Sequence, residues 1–110
     1  MPAPDAYFKF NILEQNNASL IQNNMTNIEM SVYPNPASAI TCIPVNCVES
    51  FEGQISLTDV LGKEITTIYD GNFLSGLNQF FIDANDFANG MYLIVLDSEQ
   101  GQIRQRFIIQ

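Results

Sequence analysis

This 110-residue sequence contains no histidine and no tryptophan, and only four of its residues are positively charged. Without histidine, the chain cannot form the Ser-His or Cys-His pairs that many hydrolases use as nucleophiles. The formal net charge of −8 argues against nucleic acid and anionic membranes as partners, because both are bound through basic surfaces. No apolar run approaches the ~20 residues of a membrane helix, so we expect no direct membrane insertion.

Cysteine is also scarce, with Cys42 and Cys47 the two in the chain. Two thiols without histidine do not supply the four ligands of a structural zinc site. On one straight strand they would lie ~16 Å apart, beyond disulfide reach, whereas a bend at Pro44 would bring them closer. We expect Cys42 to be a small core residue and leave disulfide formation open.

The acidic residues do not suggest a catalytic or metal site. The segment Asp83-Ala84-Asn85-Asp86 offers oxygen ligands, but it lacks the spacing of a calcium loop. We expect it to cap a short turn before Gly90 instead. The sequence therefore predicts no metal, no cofactor and no enzymatic activity.

A rigid turn divides the chain. Pro34 and Pro36 fix their φ angles and lack an N–H group, and Asn35 between them tolerates positive φ. Residues 1–27 are amide-rich, and we interpret them as a linker from an upstream domain, with one possible extra strand. Residues 28–110 are interpreted as a single folded domain.

Two features of the amide-rich part qualify this interpretation. The extra strand would be formed by Tyr7-Phe8-Lys9-Phe10-Asn11-Ile12-Leu13, which could equally dock on the domain. Met1 is not followed by a signal peptide, and we interpret it as a start added to a fragment of a longer protein.

The second part of the chain shows the pattern of short β-strands. Turn signals recur at the 8–12-residue spacing of a β-sandwich. Pro44 indicates an edge strand or a bulge, and Asp70-Gly71-Asn72 indicates a turn. The sixth strand is apolar on both faces, so we expect it to be central. The predicted strands are residues 28–33, 40–46, 54–59, 64–69, 77–83, 91–97 and 102–109.

Alternation within these strands predicts which side chains face the core. Ile55 and Leu57 share one face, as do Phe107 and Ile109, and Phe80 and Ile82 are expected to point inward.

Several turn and strand residues are candidates for structure or recognition. Asp59 can accept backbone N–H groups and Gly62 can adopt positive φ, as a hairpin requires. Gly90 permits a kink into the sixth strand, where a buried Tyr92 would need a hydroxyl partner. Arg104 and Arg106 project from one face of the last strand. These arginines suit edge protection by charge and a recognition face equally well.

Four motifs in order resemble a known family. They are Tyr33-Pro34-Asn35-Pro36-Ala37, then Asp59-Val60-Leu61-Gly62-Lys63-Glu64-Ile65, then Leu74-Ser75-Gly76, then Phe87-Ala88-Asn89-Gly90-Met91-Tyr92-Leu93, followed by a short basic strand. Their order and spacing resemble the type A C-terminal sorting domain of the type IX secretion system of Bacteroidetes-type bacteria. The resemblance covers about residues 30–110.

The resemblance implies an immunoglobulin-like antiparallel β-sandwich of about seven strands. It implies a non-catalytic module that directs a covalently linked upstream cargo through the type IX translocon. The route passes the periplasm and outer membrane to the cell surface or medium. A sortase-like peptidase removes the domain in many members. By position, the recognition elements of the family correspond to Gly90, Tyr92, Arg104 and Arg106. The family often has lysine where this chain has arginine.

Two questions stay open from the sequence. An adhesion or carbohydrate-binding β-sandwich is the alternative function, although tryptophan, common in sugar-binding platforms, is absent. An exposed edge strand would also permit a homodimer.

Overall fold

The computed structural model describes residues 27–110, and these form an antiparallel β-sandwich, as predicted. The predicted strand or linker in residues 1–26 lies outside the described residues. The seven strands are β1 (Ile28–Met30), β2 (Ile40–Cys47), β3 (Phe51–Asp59), β4 (Glu64–Phe73), β5 (Gly76–Asp83), β6 (Gly90–Ser98) and β7 (Gly101–Ile109).

The strands form two sheets that enclose one core. The smaller sheet has the order β1-β2-β5 and the larger sheet has the order β4-β3-β6-β7. The apolar sixth strand is central, as predicted, because it pairs with β3 on one side and β7 on the other. Within residues 27–110, no helix has the length and apolar character needed to cross a membrane.

Alternation placed the predicted inward side chains correctly. Ile55 and Leu57 are fully buried, and Phe107 and Ile109 share the inner face of β7. Phe80 and Ile82 point inward from β5 and pack in the same core. The strand pattern therefore carried enough information to define the two inner faces.

Pro44 does not mark an edge or a bulge, contrary to the prediction. It lies within the continuous central strand of the smaller sheet, opposite Gln79 of β5. Its carbonyl accepts from Ser31 N at 3.1 Å on the side of β1. Because β1 ends at Met30, the missing N–H of Pro44 faces a segment where the regular ladder has already stopped.

The turn predicted at Asp70-Gly71-Asn72 is also wrong, since β4 continues through it to Phe73. Phe73 is fully buried rather than part of a loop. Its ring stacks on Phe51 with centroids 4.6 Å apart and meets Tyr69 edge to face at 5.2 Å. These aromatic contacts favour extending the strand over turning at the glycine.

The prediction that Cys42 is a core residue is wrong. Cys47 is buried in the core, whereas Cys42 is half-buried on the outer face of the smaller sheet, and both thiols are free. The two residues lie five positions apart on one uninterrupted strand, so their side chains point to opposite faces.

Candidate functional site

The last strand is held in place by the proline turn. Asn35 Nδ2 donates to Arg106 O at 2.7 Å, and Asn35 Oδ1 accepts from Ile108 N at 3.0 Å. Ala37 N donates to Ile108 O at 2.8 Å, and Gln110 N donates to Ala37 O at 2.9 Å. The turn therefore pairs with the outer edge of β7 and fixes its C-terminal half.

Two prolines flank the asparagine of this contact. The Tyr33–Pro34 and Asn35–Pro36 peptide bonds are both cis. Asn35 lies between them, and both ends of its amide reach the β7 backbone. We define Asn35 and Ala37 with their β7 partners as the C-terminal clamp.

The side chains of Arg104 and Arg106 project from β7 onto the outer face of the larger sheet. The C-terminal clamp instead contacts the backbone edge of this strand. Arg104 lies opposite Val95 of β6, and Arg106 lies opposite Leu93. Both side chains are exposed. The Arg104 guanidinium is oriented by Gln102 Oε1, which accepts from Nε at 3.2 Å and from Nη2 at 2.9 Å.

A shallow groove of about 320 Å³ runs beside Arg104 on this outer face. Its lining includes Ser56, Thr58 and Val95, which are at most 9% exposed. The hairpin residue Leu61, which is 91% exposed, also lines the groove. The groove thus combines the Arg104 guanidinium and the carboxylates of Glu64 and Asp97 with an accessible apolar side chain.

The hairpin that carries Leu61 is built by its acidic residue. Asp59 Oδ1 accepts from Leu61 N and from Lys63 N, each at 2.9 Å. Asp59 N donates to Lys63 O, and Gly62 has a φ of 91°. Glycine suits that left-handed conformation because it has no Cβ.

Gly90 and Tyr92 lie in β6, but Tyr92 does not share the face of the arginines. Tyr92 lies opposite Phe107 and packs toward the core. Its hydroxyl donates to Ala88 O at 2.5 Å, and its ring meets Phe87 at a centroid distance of 6.5 Å. These contacts anchor the segment before β6, so the structure brings Arg104 and Arg106 together and separates them from Tyr92.

The acidic segment before β6 forms a capped turn, as predicted. Asp83 Oδ1 accepts from Asn85 N at 2.9 Å and caps a short 3-10 turn. The described carboxylates and thiols include no group that could hold a metal ion. One perturbed group is Tyr33, whose pKa is raised above its ordinary value by hydrogen bonding to the Cys42 side chain and by the charge of its thiolate.

Sequence reasoning missed the C-terminal clamp. It did not connect the proline turn with the basic strand, whereas Asn35 and Arg106 are neighbours across 71 positions. The available signal was an amide side chain between two prolines, but this signal does not identify the partner strand.

These features define a class of protein: an all-β module whose basic last strand is held by the C-terminal clamp and lies beside a groove. Over residues 31–110 the chain matches the family model described as a secretion system C-terminal sorting domain. The chain belongs to this family and carries the C-terminal sorting signal of type IX secretion. That role implies an interaction with the secretion machinery, a cargo linked upstream, and export to the cell surface or medium. A comparison with curated proteins found no match.

Proposed function

We propose that the type IX translocon recognises this domain through the outer face of β7, with Arg104 and Arg106 as the contact residues. The observation that carries this proposal is the C-terminal clamp. It holds the strand by its backbone edge while both guanidinium groups remain exposed. A fixed strand presents its charges in one arrangement, which lowers the entropy lost on binding.

The groove supports a specific kind of partner surface. A translocon segment with a carboxylate would pair with the guanidinium groups, which favour bidentate contacts to such anions. An apolar side chain of the same segment would pack against Leu61. In this role the domain acts by binding and not by catalysis.

An export assay tests this surface. The full chain is fused behind an inert reporter in a host with the type IX system, and Arg104 and Arg106 are both replaced by glutamine. We expect about tenfold less reporter in the medium, which corresponds to the loss of roughly 1.4 kcal/mol of binding free energy.

The matched control replaces the same two arginines by lysine, which preserves the charge and should retain most of the export. Circular dichroism and thermal unfolding establish that both double variants are folded. Equal export by the glutamine variant and the original chain would rule out this contact surface.

We also propose that a sortase-like peptidase separates the domain from its cargo before Ile28. The first described strand begins there, so cleavage within residues 11–27 would leave the sandwich whole. Mass spectrometry of the exported cargo would locate its new C-terminus. A C-terminus inside the sandwich would contradict this proposal.

A further inference from the structure

Within residues 27–110, the outer edge of β5 is a sheet edge without a pairing strand. No strand among residues 27–110 pairs with it, since β5 is terminal in the order β1-β2-β5. Its residues from Gly76 to Ile82 contain no charge and no proline, and its pairing with β2 shows no bulge. Such an edge is a ready template for another strand.

The other sheet edges carry the features that discourage pairing. β1 has three residues, and β4 carries charged Glu64 and Asp70 and pairs with β3 through two register shifts. β7 presents two arginines, and the C-terminal clamp covers part of its edge. In the described part of the chain, every other sheet edge is therefore short, charged, irregular or covered. Within the same residues, the edge of β5 from Gly76 to Ile82 has none of these protective features.

The backbone groups of this edge can be identified from the hydrogen bonds of β2. Cys42 exchanges both of its backbone hydrogen bonds with Tyr33, on the β1 side, and Ala84 N donates to Ala39 O. Antiparallel strands alternate the direction of their N–H and C=O groups. Hence Leu77, Gln79 and Phe81 direct their backbone groups away from β2, toward the free edge.

The side chains of these three residues lie on the outer face of the sheet and are exposed. Leu77 is 62% exposed and Phe81 is 60% exposed, with Gln79 between them. A two-fold pairing centred on Gln79 sets Leu77 of one copy opposite Phe81 of the other, twice. The two Gln79 side chains then face each other. In this register Asp83 lies opposite neither Leu77 nor Phe81 of the other copy.

We propose that β5 pairs antiparallel with β5 of a second copy of this chain, in the register that sets Gln79 opposite Gln79. Three residue pairs then exchange roughly six backbone hydrogen bonds. The two three-stranded sheets become one continuous sheet with the order β1-β2-β5-β5-β2-β1. Such an isologous interface closes on itself, so it produces a dimer and not a fibre. This dimer does not depend on recognition by the translocon.

Each copy carries a net charge of −8, so the copies repel one another away from the uncharged edge. Salt screens that repulsion. We therefore expect dimerisation of the full chain to strengthen as the salt concentration rises. An association driven by opposite charges would weaken instead.

Sedimentation velocity from micromolar to millimolar protein concentration measures the dimer directly. Phe81→Lys should raise the dissociation constant about tenfold or more, because two-fold symmetry makes each substitution act twice. The matched control is Val48→Lys, which changes an exposed apolar residue outside the edge and should leave the constant unchanged. A chain that stays monomeric at every concentration overturns the proposal, including the case in which residues 7–13 of the same chain cover the edge.

Disulfide trapping tests the register without relying on the lysine variant. In a full chain with Cys42→Ser and Cys47→Ala, Gln79→Cys should form an interchain disulfide. The two Cα atoms of such a pair lie ~5.5 Å apart, within disulfide range. Leu77→Cys should not cross-link to itself, since the two copies lie roughly 14 Å apart along the strand.

A mixture of the Leu77→Cys and Phe81→Cys chains should form the mixed disulfide. Cross-linking of Leu77→Cys alone, or none by Gln79→Cys, would contradict the proposed register.

Discussion

Replacing Asn35 by alanine should loosen the C-terminal half of β7. The substitution removes two hydrogen bonds, of 2.7 Å and 3.0 Å, to the backbone of Arg106 and Ile108. At roughly 0.5–1.5 kcal/mol each, and with both bonds exposed to solvent, we expect a loss of about 1–2 kcal/mol in the free energy of unfolding. The bonds between Ala37 and the end of β7 remain, so the strand should loosen locally and not detach.

Two measurements distinguish this local effect from general destabilisation. Urea unfolding followed by circular dichroism gives the free energy, and amide hydrogen exchange gives the protection of Ile108 N–H, which should fall in Asn35→Ala. Asn46→Ala, an exposed amide on β2, serves as the matched control. Unchanged exchange at Ile108, together with a stability equal to that of the control, would refute the clamp.

Two further substitutions test individual environments. Thr41 is fully buried, and its hydroxyl has no hydrogen-bond partner among residues 27–110. Thr41→Val should therefore raise the free energy of unfolding by about 1–2 kcal/mol. A loss of stability in urea unfolding would show that the hydroxyl is hydrogen-bonded. Cys42→Ala should lower the pKa of Tyr33 toward its ordinary value, because the thiol raises it through hydrogen bonding and through its thiolate charge. Tyrosinate absorbance during alkaline titration, with Tyr33→Phe as reference, measures that pKa, and an unchanged value would contradict the contact.

The sandwich and its inner faces were predictable from local pattern. Alternation at Ile55, Leu57, Phe107 and Ile109 depends on one buried sheet face, and a one-residue slip would expose all of these side chains. The central position of β6 followed from the same reasoning, since apolar side chains on both faces favour an interior strand.

The predictions at Pro44 and Gly71 were wrong because segments distant in sequence determine the local structure there. Pro44 is tolerated in a central strand because β1 stops one residue before the position that would need its N–H. Gly71 lies within β4 because Phe73 beyond it stacks on Phe51 of the neighbouring strand. In both cases local propensity indicated a break, and tertiary pairing overrode it.

The candidate site was predictable only in part. The spacing of Arg104 and Arg106 placed both on one face of the last strand, and the structure gives their neighbours as Val95 and Leu93. The clamp by Asn35 was not predictable, because the pairing partner of a rigid turn depends on how the two sheets close. The recognition role of Arg104 and Arg106 stays a prediction.

The most direct test of the sorting role is the export of an inert reporter fused ahead of this whole chain in a host with a type IX system. We predict that the reporter reaches the cell surface or the medium as efficiently as with a known sorting domain. Retention of the reporter in the periplasm, while the known sorting domain exports it from the same host, would contradict the sorting function.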